Sequence, residues 1–118
     1  MVFWVLRYIM LATEMLWRLI QEGQIVVTSD DHGQQFGHSE PIHAVEKLRT
    51  RTMGRTVEEV KISALTGDLI IELSGKTYLQ LFQLSSGYEA WRLTTSSGVD
   101  IFCRGGGIIA LYSALLTS

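Results

Sequence analysis

Residues 69–82 read LIIELSGKTYLQLF, and this stretch decides the fold. Leu69, Ile71 and Leu73 alternate with Ile70 and Glu72. Beyond Ser74-Gly75-Lys76, Thr77, Leu79 and Leu81 alternate with Tyr78, Gln80 and Phe82. A repeat of two belongs to a strand, whose side chains point to opposite faces in turn. Two such runs joined by a short turn are antiparallel neighbours. Gly75-Lys76-Thr77 imitates the end of a phosphate-binding loop. That motif needs glycine at position 70, where the chain has Ile, and a helix behind it instead of a strand.

Further out the pattern continues. Val60, Ile62 and Ala64 alternate with Glu59, Lys61 and Ser63, and Trp91 and Leu93 with Arg92 and Thr94. Val99, Ile101 and Cys103 alternate with Asp100, Phe102 and Arg104, and a last run covers 108–112. Turn signals recur about every 8–12 residues from Gly54 onward, the spacing of an antiparallel meander. Glu58 and Glu59 are adjacent, so a regular strand separates them onto opposite faces. Cys103 shares the apolar side with Val99 and Ile101, which predicts an inert core thiol.

One segment departs from this alternation. Ser39 can cap a helix and Pro41 suits its first turn, while Ile42, Val45, Leu48 and Met53 recur at helical spacing before Gly54. These residues predict one amphipathic helix over Glu40–Thr52. Upstream, 15–21 and 24–29 flank Glu22-Gly23 and predict a hairpin, with an earlier strand within 2–12. Residues 3–20 are apolar on every side, so a single buried helix over 3–21 is the competing possibility. The expected whole is a single α+β domain over 1–118. It is a predominantly antiparallel sheet of six to eight strands, meander-like, with one helix packed on it.

At 118 residues with 47% apolar and 19% charged side chains, the chain can bury one core, and a disordered tail is excluded. Ten basic residues face twelve acidic ones, so the excess that phosphate binding favours is missing, and no nucleic acid is expected. The basic run Lys47, Arg49, Arg51 and Arg55 reads as a solvated helix face complementing the negative C-terminal end of the helix. Arg7, Glu14 and Arg18 break the apolar first twenty residues, which argues against a spanning helix or signal peptide. A single cysteine and no asparagine favour a reducing, cytoplasmic setting.

Three histidines fall close together: His32, His38 and His43, with Asp30, Asp31 and Glu40 among them. Imidazole and carboxylate together suit zinc, but the spacing matches no helix-face pair. The cluster reads first as a polar loop and only second as a metal site for hydrolysis. No cofactor is expected. No Gly-x-Ser-x-Gly elbow exists, so nucleophilic catalysis finds no support.

Several short strings occur in a familiar order: Leu16-Trp17-Arg18-Leu19, Ile25 to Asp30, Val57 to Ile62, Gly67-Asp68-Leu69, Ser85 to Leu93 (SSGYEAWRL) and Arg104 to Gly107. Over residues 15–107 they resemble a family of small, mostly uncharacterised bacterial domains, some of them similar to immunity proteins encoded beside toxins. The resemblance implies a non-enzymatic protein that neutralises a toxin by binding it. Asp30, Asp31 and Glu40 are the side chains expected to meet a basic partner, because a negative patch steers such encounters. The alternative is a homo-oligomeric module, a homodimer above all, that buries the apolar N-terminal segment, with Phe3 and Trp4 at the interface.

Overall fold

The computed structural model describes the backbone of residues 2–6, 9–13, 15–84, 86, 91–103, 106 and 109–113, and the side chains of 15–84, 86, 91–103 and 106. Ten strands occur among these residues: β1 (Val2–Leu6), β2 (Ile9–Thr13), β3 (Leu16–Gln21), β4 (Gln24–Thr28), β5 (Val57–Ile62), β6 (Leu69–Leu73), β7 (Thr77–Phe82), β8 (Trp91–Thr95), β9 (Val99–Cys103) and β10 (Ile109–Ser113). One helix, α1 (Ala44–Thr52), follows a 3-10 turn at Ser29–Asp31. The fold is α+β and antiparallel throughout its described pairings.

The strands form two five-stranded sheets instead of one sheet of six to eight. The first runs β1-β2-β8-β9-β10 and the second β4-β3-β7-β6-β5. The expected meander is therefore split into β5-β6-β7 and β8-β9-β10, with the chain changing sheets between Phe82 and Trp91. A second change of sheet lies between β2 and β3, only residues 14 and 15 apart. Paired segments 9–13/91–95 and 16–21/77–82 therefore run through the centre of both sheets. The N-terminal region is strand, with β1 and β2 paired from Val2↔Thr13 to Leu6↔Ile9, which settles against the buried helix over 3–21.

The expected alternation positions the core. Leu19, Leu79 and Ile71 stand in one cross-strand row and Trp17, Leu81 and Leu69 in the next. All six are buried, and α1 adds Ala44 and Leu48. Trp91, Leu93 and Cys103 of the first sheet belong to the same apolar cluster. Burying a leucine such as Leu48 stabilises by roughly 1.5–3 kcal/mol. The Trp91 indole N–H donates to the Gly67 carbonyl at 2.7 Å, so the turn between β5 and β6 is tied to the start of β8.

Local differences have local causes. Glu22 (φ 52°) and Gly23 (φ 76°) are both left-handed between the paired Gln21 and Gln24, the two-residue hairpin the sequence predicts. Ala64 is exposed in a turn and so leaves the Val60–Ile62 row. The pairing of β5 with β6 slips between Val57 and Glu59. This bulge leaves both Glu58 and Glu59 exposed, where a regular strand would separate them.

The helix begins at Ala44 instead of Glu40. Ile42 is held outside it by two backbone bonds: Gly33 N–H to Ile42 O at 2.8 Å and Ile42 N–H to Gln34 O at 2.7 Å. Its buried face is Ala44, Leu48 and Thr52, while Met53 at the C-terminal cap is 78% exposed. The Thr52 hydroxyl satisfies itself on the Leu48 carbonyl at 2.8 Å.

Candidate functional site

The segment between β4 and α1 is a built loop. Ser29 begins it by replacing a strand partner: its Oγ accepts from the Trp17 N–H at 3.0 Å. One Asp31 carboxylate oxygen accepts from the Thr28 N–H at 2.9 Å. The Gly33–Ile42 and Ile42–Gln34 bonds then close its neck, so residues 35–41 project as a small compact loop.

At the tip, His38 N–H donates to Gln35 O at 2.7 Å, closing a turn whose central residues are Phe36 (φ 45°) and Gly37 (φ 82°). Both central residues have the left-handed conformation of a type I′ turn, where Asn, Asp and Gly are the usual occupants. Phe36 is 67% exposed. A left-handed residue other than glycine costs about 1–2 kcal/mol. An aromatic ring is thus held in water, on a constrained turn, at an energetic cost that packing does not offset.

Of the residues expected to carry function, His38 and Glu40 lie on the projecting part of this loop, and Asp30, Asp31, His32 and His43 lie at its base. Asp30 and Glu40 are exposed, whereas Asp31 is half-buried and engaged with Thr28. The fold brings two histidines together: the His32 and His43 ring centroids lie 6.0 Å apart, edge to face. His32 Nδ1 accepts the Ala44 N–H at 3.3 Å, supplying a partner for the first turn of α1. His38 lies in the tip turn, and no three His, Cys, Asp or Glu side chains among the described residues are placed to hold a metal ion. The side chains of Phe3 and Trp4 lie outside the described residues, as do Tyr88, Glu89, Arg104 and Gly107 of the family pattern. The backbone register places Phe3 in the row of Ala12, Arg92 and Phe102, and Trp4 in the row of Leu11, Leu93 and Ile101.

The basic run is partly consumed by the end of the helix. Arg51 Nη1 donates to Gln21 Oε1 at 3.4 Å, and Gln21 Nε2 returns a bond to Arg51 O at 3.1 Å. Arg55 reaches Arg51 O at 3.0 Å and Ser74 O at 2.9 Å. The second bond requires glycine at position 75, because a Cβ there would collide with the Arg55 guanidinium.

A second feature lies on the outer face of the second sheet, opposite the helix. Glu59, Lys61, Ile70, Glu72, Tyr78 and Gln80 line an open hollow of about 180 Å³. On the outer face of the first sheet, Asp100 accepts from Arg92 at 2.7 Å and from Thr94 at 2.6 Å. Those two hydrogen bonds, the Arg92 bond foremost, hold the Asp100 carboxyl below its ordinary pKa.

No family model matches the chain, and no curated protein or solved structure does either. No helix among the described residues is long and apolar enough to cross a membrane.

Proposed function

We propose that this chain is a small non-enzymatic binding protein of the bacterial cytoplasm, of the immunity type, which neutralises a toxin by covering it with the 29–43 loop. The observation that carries this reading is Phe36, a strained and exposed aromatic on a braced turn. Aromatic anchors of this kind dominate binding energy at protein interfaces. Glu40 on the projecting loop and Asp30 at its base add negative charge, which favours encounter with a basic partner. The motif resemblance over residues 15–107 supports the same class. A hydrolytic metal site is less well supported, because His32 Nδ1 already serves the helix.

Phe36→Asn tests the anchor without disturbing the turn, since asparagine tolerates the left-handed conformation. The variant is expected to melt no lower than the wild type. It should bind about thirtyfold more weakly to a partner captured from the source bacterium. That partner should arrest growth when expressed alone and lose its toxicity beside the wild-type chain. An unchanged affinity, or a partner without toxicity, overturns the proposal.

A second reading, the homodimer, is favoured by β1. This edge strand, VFWVL, carries no charge and no proline, and its pairing with β2 is unbroken. Phe3→Ser then yields monomers with the fold intact, whereas Trp4→Ser, in the row of buried Leu93, destabilises the fold. Light scattering and thermal melts read the two outcomes. A wild-type monomer at micromolar concentration ends the homodimer reading.

A further inference from the structure

We propose that the hollow on the outer face of the second sheet receives an arginine side chain from a protein partner. The proposal rests on the chain being a protein-binding module, but it uses a different surface from the 29–43 loop. Glu59 and Glu72 are directly opposite on β5 and β6. Cross-strand partners at this spacing interact strongly enough that like charges oppose pairing. The Lys61 ammonium compensates only one of them, reaching Glu59 at 3.9 Å with both side chains more than half exposed. Glu72 makes no ion pair among the described residues. Arg18, the other cation on this face, is committed elsewhere: it donates to Gln80 Oε1 and lies 5.0 Å over the Phe82 ring.

The lining therefore carries one uncompensated negative charge beside Tyr78 and the aliphatic Ile70. A guanidinium matches this set. Its planar fork pairs with a carboxylate through two bonds, it lies against an aromatic ring, and it sheds water more readily than an ammonium. A volume of about 180 Å³ is below the roughly 300 Å³ at which small-molecule pockets begin, and it suits one side chain. Glu59 faces Glu72 in the same register that pairs Val60 with Ile71, and the slip lies just beyond it on the Val57 side, so the facing pair ends the regular part of the ladder.

The test titrates the intact chain with N-acetyl-arginine amide and follows backbone amide shifts by NMR. Saturable shifts are expected at Ile70, Glu72 and Tyr78 in the millimolar range, with none from the uncharged citrulline analogue. Glu72→Gln should weaken binding about tenfold, and Glu59→Gln should weaken it too. Equal shifts with citrulline, an equal response to the lysine analogue, or an unchanged affinity in Glu72→Gln overturns the proposal. Because the probe is a single amino-acid derivative, failure here leaves the Phe36 experiment untouched, and failure there leaves this one standing.

Discussion

The outer faces of the two sheets treat charge in opposite ways. On the first sheet Arg92, Asp100 and Thr94 form a closed set, acid satisfied by base and hydroxyl. On the second sheet two carboxylates face each other, and the single ammonium beside them loosely reaches Glu59 alone. Both faces come from the same alternating pattern and both cover the same core. The first arrangement serves the sheet that contains it. The second works against its sheet, which is the expected mark of residues kept for something outside the chain.

The two sheets share one core, and Trp91 is where that sharing is most easily broken. Trp91→Ala removes a buried indole and its bond to Gly67, and should cost about 3–5 kcal/mol in urea unfolding. Trp91→Phe keeps most of the bulk but leaves the Gly67 carbonyl unpaired, for a loss of about 1–3 kcal/mol. A midpoint unmoved by the alanine variant would mean that the sheets unfold independently. Next in size is the charge contrast. Glu72→Lys converts the facing pair from like to opposite and should raise stability by about 0.2–1 kcal/mol. A lower urea midpoint would refute the idea that this face is electrostatically frustrated.

The smallest effect is one of pH. The native Asp100 pKa lies below its unfolded value, so the unfolded chain binds more protons in between, and stability rises with pH there. The contribution is complete once the pH is well above the ordinary aspartate pKa of 3.8, and it is lost as the pH falls through the native pKa. Asp100→Asn should therefore flatten the acid limb of a stability profile below about pH 4 and leave it unchanged at neutrality. The same slope in variant and wild type would remove the closed set from the comparison.

Much of the second sheet was legible because its strands announce themselves locally. Leu69, Ile71, Leu73, Leu79 and Leu81 are buried where alternation puts them, and Glu22-Gly23 makes its hairpin. What alternation cannot carry is partnership over distance. That β2 pairs with β8, and β3 with β7, depends on contacts 56 to 86 positions apart, so one sheet cannot be told from two by alternation. The helix starts later than the sequence suggests because Ser39 and Pro41 look like a cap, while the Gly33–Ile42 bridge holds Ile42 outside the helix. Phe36 is hard to single out in the sequence, being one apolar residue in a polar loop. The Phe-Gly pair was the available signal, since glycine there marks a turn that would leave its neighbour exposed. The hollow is not legible in the sequence, because alternation gives the faces of β5 and β6 but not the register that sets Glu59 opposite Glu72.

The interior places of β2 and β3 in their sheets also bear on how the chain is made. Their central partners, 77–95, are synthesised long after them. On the ribosome β2 and β3 have β1 and β4 beside them early, but the other side of β3 stays unpaired until Phe82 is made and that of β2 until Thr95. Such high contact order slows folding, and an unpaired apolar strand invites association while it waits. Nascent chains halted before residue 77 should therefore be held by a holding chaperone, and chains extended past residue 103 released.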